Sequence, residues 1–323
     1  MPRSWWRAFF LVVLLSLGVG VAHADNYPSR PIRVLLGFPP GGGGEIQLRL
    51  IGQKLTERWG QPVIIDNRPG AGSNIAAGEL VKAAPDGYTL LYMPAALVVN
   101  PWLYPKVPYD LARDFTPVTL LTTFPLVLVV RPGLPVRDVA ELVALARAKP
   151  GVLNYASFGN ASPAHLAAET FKRQAGIDAV HIPYKGGGPA QAALLAGEVD
   201  FMFDTAVSAI PNIKAGRTRA LAVSTRDRSP LLPQIPSMGE SGFKAFDLYG
   251  WAGLVGPAGM PPEIVARLQR EIAQILGAPD VAERLAALGA EPRAMTPDEF
   301  RQFIAAEAAK WRRAVEVSGA KID

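Results

Sequence analysis

The chain is 323 residues long, contains no cysteine and carries a formal charge of +5. The missing cysteines exclude a disulfide scaffold, a thiolate nucleophile and a Cys-ligated metal, while the length allows two domains with a substantial core. Lys and Arg are scattered among acids, so the mild positive balance supports a modest bias toward anionic ligands and is a poor argument for nucleic acid.

The first segment reads as a leader. Arg3 and Arg7 flank the start of an apolar run from Ala8 to Val21, which ends in Ala22-His23-Ala24. The rival reading is a membrane anchor, but the run is shorter than the ~20 residues of a spanning helix. A secretory signal peptide over 1–24 is predicted, cleaved after Ala24, which leaves an exported chain of charge +3.

Beyond it, short apolar runs alternate with helix-length segments. The runs are IRVLLGF at 32–38, PVIIDN at 62–67, YTLLYM at 88–93, LVLVV at 126–130, VLNYAS at 152–157, AVHIPY at 179–184, VDFMFD at 199–204 and RALAVS at 219–224. The helix after the first run places Leu48, Ile51, Leu55 and Trp59 on one face. Such alternation predicts an α/β fold with a mostly parallel sheet, because parallel strands need crossover helices. After GWAGLVGP the pattern is helical only, over 262–276, 280–288 and 297–317, with Thr296 before Pro297 as an N-cap signal. These helices need a sheet to cover and are expected to return to the first domain. A domain boundary is expected within 116–126, and a second crossing between RALAVS and GWAGLVG.

The first run ends in FPPGGGGE, residues 38–45. A phosphate-binding P-loop needs lysine and a hydroxyl after its last glycine, where this chain has Glu45 and Ile46. The dinucleotide fingerprint also fails, since its third glycine falls on Ile46 or Gln47. Two readings remain: a tight turn, or an anion site built from backbone N–H groups and a helix N-terminus, which suits a carboxylate as well as a phosphate.

Catalytic groupings are sparse. Beyond the leader the histidines are His165 and His181, and no HExxH pattern is present, so structural roles outweigh a metal site and no cofactor is implied. Ser157, in Tyr155-Ala156-Ser157-Phe158-Gly159, has the second glycine of a G-x-S-x-G elbow and lacks the first. An exported serine hydrolase using Ser157 and one histidine is the enzymatic alternative.

Several stretches in order carry a resemblance: YPSRPIRVLLGFPPGGGGE, DNRPGAGSNIAA, PDGYTLLYMP, NPWLYPKVPYD, NYASFGNASPAHLAAETF, HIPYKGGGPAQAALLAGEVDFMFD, GRTRALAVSTRDRSPLLPQIPSMGESG and GWAGLVGPAGMPPEIVARL. Over essentially all of the exported chain it resembles the extracytoplasmic solute receptors of tripartite tricarboxylate transporters, the Bug family. The resemblance implies a type II-like periplasmic binding protein. Two α/β lobes joined by crossing strands would close on a small carboxylate (a di- or tricarboxylate, an acidic amino acid or an aromatic acid), held by backbone amides and water, for delivery to membrane transporter subunits. It implies a monomeric periplasmic receptor that is not an enzyme. A sensory receptor of the same fold, signalling to a membrane kinase, is the other receptor reading. The expected division is 25–124 with 246–323 as lobe 1 and 125–245 as lobe 2.

Carried over position by position, the resemblance implies a first-lobe carboxylate loop of Pro40, Gly41, Gly42, Gly43 and Gly44, with Phe38 and Glu45 beside it. Met93, Pro94, Ala95 and Ala96 would line the same wall. From the second lobe it implies Ser157 and Gly159, then Ser162 and His165, then Tyr184, Lys185 and Gly186, and finally Asp204 and Thr205. Two departures bear on the ligand. Glu45 stands where the family usually has aspartate, and its longer side chain either enters the cleft or folds back as a cap. Gly44 replaces a frequent hydroxyl residue.

Overall fold

The computed structural model describes residues 27–318 apart from 161 and 185. The expected leader and its cleavage point lie outside the described residues, as does Lys185.

In the first lobe β1 (Ile32–Leu36), β2 (Val63–Asn67) and β3 (Thr89–Pro94) are parallel and lie in the order β2-β1-β3. They are linked by α1 (Gly43–Trp59) and α2 (Asn74–Leu80), and α3 (Ala96–Leu103) follows β3. The second lobe repeats the scheme. Here α4 (Val139–Ala148) leads into β5 (Asn154–Ser157), α5 (Pro163–Ala175), β6 (Val180–Pro183), α6 (Gly187–Ala196) and β7 (Phe201–Thr205), with strand order β6-β5-β7. After β7 come α7 (Ala206–Lys214) and β8 (Arg219–Val223).

Each parallel set is completed by an antiparallel strand: β9 (Tyr249–Pro257) beside β3, and β4 (Phe115–Val130) beside β7. The sequence pattern predicts a connector over 116–126 with a strand beginning at Leu126. Instead β4 is one strand of 16 residues. It pairs with β9 from Phe115 to Pro125, and with β7 and β8 from Leu126 to Val130. Its threonines, valines and leucines favour a pleated strand. One of its prolines, Pro117, stands at a register shift, and the other, Pro125, at the last pair with β9, where a missing N–H is tolerated.

The helices settle on this sheet as their apolar faces require. In α1 Leu48, Ile51 and Leu55 are buried while Gln53, Glu57 and Arg58 are exposed. The chain then returns through α8 (Pro262–Leu276), α9 (Pro279–Ala287), the short β10 (Glu291–Pro292) on β4, and α10 (Pro297–Ser318). The last helix packs against both α3 and α5, so it covers parts of both lobes. Its Glu307 is buried and accepts from the indole N–H groups of Trp251, at 2.8 Å, and Trp311, at 3.0 Å. Burial raises the Glu307 pKa, against the opposing pull of Lys310.

In both lobes the strand order reverses beside the first strand, at β1/β3 and at β5/β7. Crevices at the carboxyl ends of such strands are where open α/β sheets accept ligands.

Candidate ligand-binding cleft

The glycine tract lies at one of these crevices. Gly41 has φ +86°, the left-handed turn that frees the chain from β1. Gly42 is the N-cap of α1, in extended conformation. The first helical bonds run to its carbonyl, from Glu45 N–H at 3.0 Å and Ile46 N–H at 3.2 Å. The N–H groups of Gly42, Gly43 and Gly44 therefore precede the hydrogen-bonded turn, at the positive end of the helix dipole.

Glu45 adopts the folded-back alternative. Gly41 N–H donates to its Oε2 at 2.6 Å and Arg49 Nε to its Oε1 at 2.9 Å. The Gly41 amide, followed by Arg49, holds the carboxyl below its ordinary value. Glu45 is thus a buried capping group that ties the loop to the helix.

The first turn is also fixed to the sheet. Gln47 Oε1 accepts from Thr122 Oγ1 at 2.9 Å and from Tyr92 Oη at 3.4 Å, which leaves its amide nitrogen to donate. A Cβ at Gly44 would stand 3.3 Å from the Tyr92 ring, so the absent side chain makes room for that ring.

Between the lobes is a cleft of about 580 Å³. Its walls are Phe38 to Gly44, Gln47, Tyr92 and Pro94 from the first lobe, and Phe124 and Trp251 from the crossing strands. Thr205 to Val207 from the second lobe, with Leu288 and Gly289 after α9, close the remaining side.

Of the residues expected at the site, Phe38, Pro40 to Gly44, Pro94 and Thr205 are brought together on this cleft. Met93 and Ala95 are buried, with Ala95 N–H bonded to Trp251 O at 3.0 Å. Ser157, Gly159, Ser162, His165, Tyr184 and Gly186 are grouped around the carboxyl ends of β5 and β6, outside the cleft lining. Asp204 lies behind Thr205 and accepts from its N–H at 2.8 Å and from Gln191 Nε2 at 3.1 Å. Burial pushes its pKa up to about 6.

Gln47, Tyr92, Phe124, Trp251, Val207 and Leu288 were not anticipated as lining. Trp251 falls within GWAGLVG, a stretch that carried the resemblance. Phe124 gives no sequence signal, because its role depends on which strands cross beside it.

The Ser157 grouping is internally bonded. Its Oγ lies 2.6 Å from His181 Nε2 and 3.0 Å from Gly159 O, and Ser157 is fully buried. The His181 ring stacks on those of His165, at 4.0 Å, and Tyr155, at 4.8 Å. Burial, reinforced by His165, pushes the His181 pKa down to about 4. The Ser157 hydroxyl, fully buried and bonded in this way, offers no open side to an acyl substrate. Among the described residues no group of three or more His, Asp or Glu could hold a metal ion, and no helix is long and apolar enough to cross a membrane.

The sequence profile of the tripartite tricarboxylate transporter family receptors matches residues 47–320. Protein BugT of Bordetella pertussis is 39% identical over 301 residues, which cover 93% of this chain and 92% of BugT. Among solved structures, R. palustris Rpa4515 with adipate is similar at a TM-score of 0.80 and 34% identity, covering 92% of this chain and all of that one. MatC from Rhodopseudomonas palustris with bound malate is similar at a TM-score of 0.74 and 33% identity, covering 90% of this chain and all of MatC. The lobes, their crossing strands and the cleft between them are accordingly those of a binding protein without enzymatic activity, and the chain belongs to the Bug family of periplasmic receptors for tripartite tricarboxylate transporters.

Proposed function

We propose that the chain captures a small carboxylate in this cleft and hands it to the membrane subunits of a tripartite tricarboxylate-type transporter. The observation that carries the reading is the row of N–H groups at Gly42, Gly43 and Gly44, which belong to the start of α1 and to residues lining a cleft that both lobes share. A carboxylate held by backbone amides at a helix N-terminus needs no lysine. The adipate and malate bound by the two similar structures are acids of this kind.

A ligand touching both lobes binds the closed form better and shifts the population toward it. Phe38, Pro40 to Gly44, Pro94 and Thr205 are its contacts in this reading. Gly159, Ser162, Tyr184, Lys185 and Gly186 approach from the second lobe on closure, while Ser157 and His165 support them from behind. The lobe limits of 25–124 with 246–323, and 125–245, are supported by the exchange of β4's partners after Pro125.

Thermal denaturation against a panel of acids and their amides tests this, since a ligand at about 100 times its Kd stabilises by roughly 2.7 kcal/mol. An acid is expected to raise Tm and its amide to leave it unchanged. Gly42→Val is expected to abolish the rise without lowering the ligand-free Tm, because a Cβ there meets only Pro39 O, at 3.8 Å. A full Tm rise retained by Gly42→Val would remove the carboxylate from this loop.

A further inference from the structure

Resting on the carboxylate reading, we propose that Gln47 is the side chain that fixes the ligand's carboxylate, its amide N–H donating into the cleft beside the backbone N–H groups of Gly43 and Gly44. Thr122 and Tyr92 are positioning residues that hold the amide in this sense.

Gln47 follows Gly43 and Gly44 at helical spacing, so the three share one face of α1. Helical side chains lean toward the N-terminus of their helix, which lays the Gln47 amide over the turn that carries those two glycines. Neither glycine covers that turn with a side chain, and a Cβ at Gly43 would meet nothing within 4 Å. All three residues line the cleft.

Gln47 is 5% exposed, and its two amide atoms have different surroundings. Oε1 accepts from Thr122 Oγ1 at 2.9 Å and from Tyr92 Oη at 3.4 Å, while Nε2 has no partner among the described residues. Nor is Nε2 sealed off, since the side-chain atoms that are both enclosed and unpartnered there are Asn212 Oδ1 and Thr218 Oγ1. The nitrogen therefore opens on the space that Gln47 lines, which is the cleft.

The amide cannot turn over without loss. The Thr122 and Tyr92 hydroxyls are buried, and the bond to Oε1 is the one each makes. Facing them with the NH2 group instead would leave two hydroxyl hydrogens without an acceptor. The side chain is thereby set as a donor, which suits an ionised carboxylate and disfavours a ligand group that itself donates. Tyr92 is the titratable side chain among the described lining residues, so no cation on the cleft wall stands in for the Gln47 donor in this conformation. Second-lobe residues that approach on closure contribute alike in every variant at position 47.

Isothermal titration of the exported chain with adipate, malate, citrate, glutamate and benzoate finds the acid that binds most tightly, and that acid is carried through the variants. Gln47→Met, which keeps the length and drops the donor, is expected to weaken it by about tenfold. Gln47→Glu keeps an oxygen for Thr122 and Tyr92 and turns the donor into a like charge, so the loss is expected to reach about a hundredfold at about pH 7.5. Binding by Gln47→Glu should also take up about one proton, seen as a heat that varies with buffer, and recover toward about pH 5. The wild type, measured alongside, should do neither. Gln53→Glu adds the same charge on the exposed face of α1 and is expected to bind as the wild type does. Wild-type affinity in either variant at position 47, or a loss in Gln47→Glu without proton uptake and recovery, overturns the role of Gln47 and leaves the carboxylate reading standing. No binding of any of the five acids to the wild type overturns both.

Discussion

At Glu45 a charge serves the loop that carries it. Its carboxylate turns back to the Gly41 N–H and Arg49, supplying an internal anion that rigidifies the loop. Since these partners lower its pKa, its contribution is present above the ordinary carboxylate value and is lost as pH falls through the lowered one. The wild type should therefore lose Tm on acidification more steeply than Glu45→Gln, as measured by melting curves from pH 7 to pH 3, roughly the range over which carboxylates titrate. Parallel curves would show that the Gly41 contact adds no stability. The residue types foreshadowed this contact only as one of two alternatives. Whether a glutamate caps or projects depends on the turn at Gly41, which the glycine permits without dictating.

At the scale of elements, local signals were reliable where local physics decides. The Thr296 signal before α10 is a reciprocal cap: Glu299 N–H donates to Thr296 Oγ1 at 3.3 Å and Thr296 N–H to Glu299 Oε2 at 2.8 Å. Thr296→Ala should cost about 1 kcal/mol, seen as a lower urea midpoint with an unchanged slope. The α1 face was legible for the same reason, because the spacing of Leu48, Ile51 and Leu55 fixes which side is buried. β4 was not legible as a single strand. Residues 116–126 read as a boundary, and only pairing with β9 on one stretch and with β7 and β8 on the next makes the segment continuous.

Across the whole molecule, one close approach joins the lobes beside the cleft. Gly289, with φ +67°, lies so near the start of α7 that a Cβ would stand 2.5 Å from Val207 N. Gly289→Val should hold the lobes apart there and weaken ligand binding by about tenfold or more, a loss expected where the closed state is depopulated. Small-angle scattering would show the variant keeping its ligand-free dimensions at saturating acid. Compaction like that of the wild type, at wild-type affinity, would show that this contact does not govern closure.

The sequence by itself determined the α/β alternation and the amphipathic helix faces, because each rests on neighbours within a few residues, while for FPPGGGGE it left a tight turn and an anion site both open. Only the tertiary structure decided that Phe124, Trp251 and Val207 share a cleft with that loop, that Glu45 folds back rather than projecting, and that Ser157 is enclosed against His181. Those outcomes depend on contacts between segments far apart in the chain. Their geometry is fixed by strand order and lobe packing, which no local spacing encodes.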